Sequence, residues 1–207
     1  MVKLGITGGI GSGKSYVARL LAERGIPVYD TDTEAKRLMI TDEVIRERLI
    51  GLLGQEVYLA DGALNKPLVA DFLFASPGNA ARINAIVHPR VKADFLNWAV
   101  VNSAQAIVAL ESAILFEAGF DDVVDYIVTV YAPVEVRLRR AMDRDAATEE
   151  KIRQRMAAQL DDEIKCRRSD CIIFNDGSLP LLPQLDNLQK NLEKSQKPAT
   201  KSCVCRQ

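Results

Sequence analysis

A parallel β-sheet flanked by helices, an α/β fold, is what the 207-residue sequence predicts. Three observations carry this. Short, largely apolar runs recur at 2–7, 26–29, 106–110, 126–131 and 170–174, each of strand length. Helical segments separate these runs, and such alternation favours parallel strands joined by right-handed crossovers. From about 42 to 104 the strand signal gives way to helical spacing alone, which marks a helical insertion.

Composition narrows the class. Hydrophobic residues make up 48% of the chain and the formal net charge is −1, so no bulk field draws it to nucleic acid or membrane. Lys3 and the early glycines interrupt any signal-peptide core. No run approaches the roughly 20 apolar residues that span a bilayer, and a cytoplasmic location is expected. The four cysteines, at 166, 171, 203 and 205, lack zinc or redox spacing, and His88 is the single histidine. They are expected to be reduced thiols. Small molecules are the expected partners, and oligomeric state stays open.

The first strand, 2–7, runs into Gly8-Gly9-Ile10-Gly11-Ser12-Gly13-Lys14-Ser15, which fits G-x-x-x-x-G-K-[ST]. Glycines let consecutive backbone amides turn inward around an anion. The Lys14 ammonium would reach the β- and γ-phosphates, and the Ser15 hydroxyl would ligate Mg²⁺. Helix formers from 15 to 24 set the loop on a helix N-terminus, whose partial positive charge favours phosphate. Strand, loop and helix in this order predict a P-loop nucleoside-triphosphate hydrolase fold. Gly9, Gly11, Ser12, Gly13, Lys14, Ser15 and the adjoining Tyr16 form the expected nucleotide cradle.

Gly25 stops the first helix before the strand at 26–29. Thr31 or Asp32 is expected to cap a helix to about Met39, with Asp30 the stronger cap of the two aspartates. Residues 42–53 read as a helix with apolar positions 45, 49, 52 and 53, closed by Gly54. Asp61-Gly62 marks a turn, Lys66-Pro67 starts a helix to Phe74, and Ser76-Pro77 opens another. His88-Pro89 is read as a turn, after which Val91, Phe95 and Trp98 recur as a packing stripe. Beyond the strand at 126–131, Pro133 begins a helix that turns over at 145–148. Arg137, Arg140 and Arg144 share one face of it, and Arg139 faces away. The following helix is expected to carry Ile152, Met156, Leu160 and Ile164 as one stripe at steps of four, with Gln159 beside it. From Lys194 a polar tail is expected.

Ligands of parallel sheets gather at the carboxyl ends of strands. Those ends here are Thr7–Gly8, 30–32, Glu111–Ser112, Tyr131–Ala132 and Asn175. Asp32 could accept a hydroxyl proton or hold a metal-bound water, or it could simply cap its helix. Glu111 is placed to assist a metal. Glu117 could cap or pair locally. An arginine hairpin is commonly a solvated face, but beside a phosphate loop it could be a lid that neutralises transferring phosphate.

Taken together, Ile6–Ser15, Val28-Tyr29-Asp30-Thr31-Asp32, Asp61-Gly62-Ala63-Leu64, His88-Pro89, Leu115-Phe116-Glu117, Arg140 with Arg144, Gln159 and Ser169-Asp170…Asn175 resemble the dephospho-coenzyme A kinase family over about residues 1–190. The resemblance implies ATP-dependent phosphorylation of the 3′-hydroxyl of dephospho-coenzyme A, with Mg²⁺. It implies Lys14, Asp32 and Arg140 as the catalytic set, with Asp32 accepting the hydroxyl proton. Arg144 and Asn175 would join the nucleotide cradle, Asn175 near the adenine. Asp32, Lys66, His88, Glu111 and Leu115 would face the acceptor, and Ser15 would hold the metal. A nucleotide-binding core at 1–40 and 105–193, a lid at 137–158, an acceptor-binding insertion at 41–104 and a flexible tail at 194–207 follow from it. The chain departs from the family pattern at Tyr16, Lys66, Ala113, Arg137 and Ser169. Two rivals stand beside this reading: a kinase of similar architecture acting on a nucleoside monophosphate or sugar acid, and a nucleotide-dependent switch. The switch would carry an Asn-Lys-x-Asp motif, which the sequence lacks.

Overall fold

β1 (Val2–Thr7) is the middle strand of a five-stranded sheet in the computed structural model, which describes residues 1–195. The order is β2-β3-β1-β4-β5, with β2 at Val28–Asp30, β3 at Ile107–Glu111, β4 at Tyr126–Tyr131 and β5 at Cys171–Phe174. β1 pairs in parallel with β3 and β4, and β4 with β5. Leu4, Ile6, Val108, Leu110, Val128 and Val130 are fully buried, which explains the nearly unbroken apolar runs. β2 starts two positions later than expected. Pro27 has no N–H to give the ladder, and only its carbonyl engages, accepting from Ala109 N at 2.8 Å.

Two compact units make up the chain: Met1–Tyr29 with Ala99 onward, and Asp30–Trp98. In the first, α1 (Lys14–Glu23) and α9 (Leu181–Ser195) cover the sheet, packing Val17, Leu21, Leu185, Leu188 and Leu192 against Leu4, Ile6, Val128 and Val130. α9 runs one residue past the expected start of the tail because its leucine stripe is anchored in this core. The rest of that tail, with Cys203 and Cys205, lies outside the described residues. Cys166 and Cys171 are thiols, and burial together with nearby acidic groups pushes Cys166 up to about 11.

The second unit begins at Asp30. α2 (Thr31–Thr41) is tied to its own unit: Arg37 Nη2 meets Asp94 Oδ2 at 2.7 Å, and Tyr58 Oη donates to the Met39 carbonyl at 2.6 Å. α3 (Glu43–Leu53) and α4 (Lys66–Ala75) follow. α5 (Asn79–Val101) then runs straight through Pro89, where a turn was expected. Ile83, Val87, Val91 and Phe95 are all buried at steps of four on both sides of the proline. Burying each is worth about 1.5–3 kcal/mol, together more than the roughly 3 kcal/mol a mid-helix proline costs.

A second break goes the other way. The single helix expected through Ile164 is two, α7 (Glu149–Ala157) and α8 (Asp162–Arg168), after α6 (Val134–Asp145). Asp161 ends the run by accepting from Glu163 N and Ile164 N at 2.8 and 3.3 Å as the cap of α8. Among the described residues, no helix is long and apolar enough to cross a membrane.

Asp42 gives this unit an acid-sensitive joint. It caps α3 through Ile45 N at 2.9 Å and takes Arg90 Nε and Nη2 at 2.9 and 2.7 Å. Burial alone would raise this carboxyl, but the Arg90 guanidinium and the Ile45 amide outweigh it and hold it below its ordinary value. A depressed folded-state value gives stability that is complete above the unfolded value and lost as pH falls through the folded one. Asp42→Ala is therefore expected to cost about 1 kcal/mol or more at pH 7. The deficit should shrink as pH falls below the carboxylate range, as read by urea midpoints across pH.

Candidate active site

The phosphate loop leaves β1 after Thr7 and enters α1 at Lys14. Ser12 N donates to Gly9 O at 3.0 Å, and Tyr16 N and Val17 N both donate to Gly13 O. Gly11 and Gly13 have φ of 80° and 92°, in the left-handed region. Space also demands them. A Cβ at Gly11 would lie 2.2 Å from the Arg137 carbonyl oxygen, and one at Gly13 would lie 2.1 Å from Asn175 Nδ2. Thr7 Oγ1 and Ser12 Oγ are buried here without a hydrogen-bond partner among the described residues. Such orphans are uncommon in a finished core and suit a site that takes a polar ligand.

Glu111 closes this site from the end of β3, opposite Ile6 in the sheet register. Its Oε1 accepts from Ser15 Oγ at 2.6 Å and lies 3.1 Å from Lys14 Nζ. A buried carboxylate between a lysine and a serine hydroxyl fixes both side chains at the head of α1. Lys14, Ser15 and Glu111 thus meet, as a strand-end position suggested for Glu111. Tyr16 is half exposed, with the Arg19 guanidinium over its ring at 5.1 Å.

The arginine face divides by partner. Arg137 is buried and braces the loop. Its Nε donates to Ala132 O at 3.0 Å, its Nη1 to Ile10 O at 3.4 Å, and its Nη2 meets Asp162 Oδ2 at 2.5 Å. Arg140 Nη1 donates to Asn175 O at 2.8 Å, and Asn175 Nδ2 donates to Ser12 O at 2.8 Å. Asn175 therefore ties β5 to the phosphate loop through its amide nitrogen. Arg144 has the adjacent acid as its partner. It is exposed and forked onto Asp145 at 2.7 and 3.1 Å, and Asp145 also takes Arg155. These two guanidiniums hold the Asp145 carboxyl well below the usual carboxylate range. Arg139 is exposed, as its helical position predicts.

Leu115 is fully buried against β1, where a Cβ at Gly5 would come within 2.7 Å of its Cδ1, so it packs the sheet. Asp32, Lys66 and His88 belong to the Asp30–Trp98 unit. Asp30 is the cap of α2: its Oδ1 accepts from Asp32 N at 3.0 Å and Thr33 N at 3.5 Å, its Oδ2 from Thr33 Oγ1 at 2.7 Å. That leaves the exposed Asp32 carboxylate outside the capping scheme. Lys66 is exposed at the first turn of α4. His88 is half-buried within α5, and burial lowers its basicity.

Two contacts near the loop involve partners that the sequence did not indicate, although Gln159 itself was marked by the family resemblance. Ile10 N donates to Gln159 Oε1 at 3.0 Å, and the fully buried Lys165 donates to Ala113 O at 2.9 Å. Lysines at that spacing ordinarily lie on solvated helix faces, so the sequence gives no reason to bury this one.

A central strand that opens into a glycine-rich phosphate loop, within a sheet ordered β2-β3-β1-β4-β5, is the architecture of the P-loop kinases. A shikimate kinase from Acinetobacter baumannii shares it, with a TM-score of 0.51 at 18% identity over 96% of each chain. Within that class, the chain belongs to the dephospho-CoA kinase family, whose model matches residues 2–180. A Bacteroides fragilis dephospho-CoA kinase is 52% identical over 184 residues, covering 89% of each protein. A solved Thermus thermophilus structure superposes with a TM-score of 0.75 at 32% identity, over 96% of this chain and 98% of its own.

Proposed function

We propose that the chain transfers the γ-phosphoryl group of ATP to the 3′-hydroxyl of dephospho-coenzyme A, giving coenzyme A and ADP. The observation that carries this is the Glu111 carboxylate holding Ser15 Oγ and Lys14 Nζ together at the mouth of the phosphate loop. Ser15 Oγ and Glu111 are hard oxygen donors and suit Mg²⁺, which takes one or two protein ligands and completes its shell with phosphate and water. Bound there, the ion would neutralise charge on the β- and γ-phosphates.

The protein's own part is positioning and charge. Loop amides and Lys14 hold the triphosphate, and the Lys14 ammonium exchanges part of its Glu111 contact for phosphate oxygens. Arg140 supplies positive charge beside the loop from the arginine hairpin, which acts as the lid. Asp32 orients the acceptor hydroxyl and accepts its proton as the new P–O bond forms. The transition state is loose, so orientation matters more than base strength. Residues of the Asp30–Trp98 unit, Lys66 and His88 among them, bind the acceptor. This reading places the protein in the cytoplasm, with two small molecules as its partners.

ADP release measured with and without dephospho-coenzyme A tests the reading. ADP should form only when the acceptor is present, in step with coenzyme A. Release that ignores dephospho-coenzyme A, or that follows a sugar acid or nucleoside monophosphate instead, would overturn it.

A further inference from the structure

Gln159 sits in the short link between α7 and α8 and reaches two backbone segments at once. Its Oε1 accepts from Ile10 N of the phosphate loop at 3.0 Å, and its Nε2 lies 3.5 Å from Ala113 O in the loop after β3. The same Ala113 carbonyl accepts from Lys165 Nζ at 2.9 Å. Lys165 lies 3.4 Å from Glu117 Oε1, and that oxygen accepts from Leu160 N, the residue after Gln159, at 2.7 Å. Ala113, Glu117, Leu160 and Lys165 therefore fix the position of Gln159 from both sides.

The chemistry is unusual for a mere tether. Lys165 is fully buried, and a buried ammonium is costly unless its partners are well placed. An apolar residue would hold the link between α7 and α8 at less risk. What the charged version adds is geometry: it sets one carbonyl and one carboxylate, and through them the amide that grips Ile10. From the other side, Arg137 Nη1 donates to Ile10 O at 3.4 Å. Both polar groups flanking Ile10 are thus taken by side chains, and the loop is held before any ligand arrives.

We infer that Gln159 is a positioning residue that preorganises the phosphate loop for the triphosphate, with the Lys165–Glu117 pair acting through it. Ordering a loop on binding costs affinity, and a loop already ordered avoids that cost. The inference rests on the ATP reading above but not on the identity of the acceptor.

Calorimetric titration with Mg²⁺-ATP, without acceptor, tests it. Gln159→Ala should weaken ATP binding about five- to tenfold, the scale of one lost hydrogen bond to a loop that must then be ordered. Gln159→Met, which keeps the volume and removes both polar contacts, should weaken it equally. Thermal midpoints and the KM for dephospho-coenzyme A should stay near those of the unaltered protein. Glu117→Gln should weaken ATP binding on its own and add nothing in the Gln159→Ala background. Unchanged ATP affinity in Gln159→Ala, or restored affinity in Gln159→Met, overturns the inference, as does an additive effect of Glu117→Gln. Failure of the unaltered protein to bind ATP would instead strike the proposed function.

Discussion

Lys14→Ala is expected to lower kcat/KM for ATP by about 10²–10³-fold, the scale of removing one preorganised donor from a developing oxyanion. The structure argues for the upper part of that range. Lys14 Nζ is 3.1 Å from Glu111 Oε1, and the Glu111 side chain is only 9% exposed. Removing the ammonium deletes a phosphate contact and also takes a positive charge from beside a buried carboxylate, which then faces the charge of the triphosphate. The repulsion is strong because that carboxylate is buried. Glu111→Gln in the Lys14→Ala background should therefore recover part of the lost ATP affinity, because it removes the repulsion without restoring the clamp. Steady-state kinetics on the two variants check both statements. Near-normal turnover in Lys14→Ala would remove the phosphate loop from the reaction.

Much of this arrangement was legible in the sequence because it depends on local rules. Strands at 2–7 and 126–131 follow from buried apolar runs, and the phosphate loop from glycine spacing. Glu111 was legible because it stands at the carboxyl end of a strand, where ligands of parallel sheets collect. The helical spacing placed Arg137, Arg140 and Arg144 on one face but could not choose their partners. Whether a guanidinium meets a phosphate, a carbonyl or Asp162 depends on elements far away in the chain.

The misreadings share that origin. The step-of-four pattern runs unbroken through Ile152, Met156, Leu160 and Ile164, yet Asp161 caps a new helix in the middle of it. Proline is usually a stop, yet the buried stripe Ile83–Val87–Val91–Phe95 carries α5 past Pro89. Periodicity reports which face is apolar. It does not report what covers that face, nor where a polar side chain outweighs it.

Asp32→Asn is expected to lower kcat by about 10²–10⁴-fold, the usual contribution of a positioned proton acceptor, with little change in ATP affinity. Capping would be the competing explanation for an aspartate at this position, and it predicts lost stability instead. Asp30 already supplies that cap, taking the amides of Asp32 and Thr33 on one oxygen and the Thr33 hydroxyl on the other. The Asp32 side chain is exposed and free of that duty. Asparagine keeps its size and can still orient a hydroxyl, but it cannot take a proton, so the substitution separates the two roles. A large fall in kcat with an unchanged melting temperature assigns proton transfer to Asp32. A small fall leaves it an orienting group, since in a loose transition state the hydroxyl proton departs late and alignment supplies most of the rate. A loss of ATP affinity with turnover per bound ATP preserved would make Asp32 a partner of the metal instead.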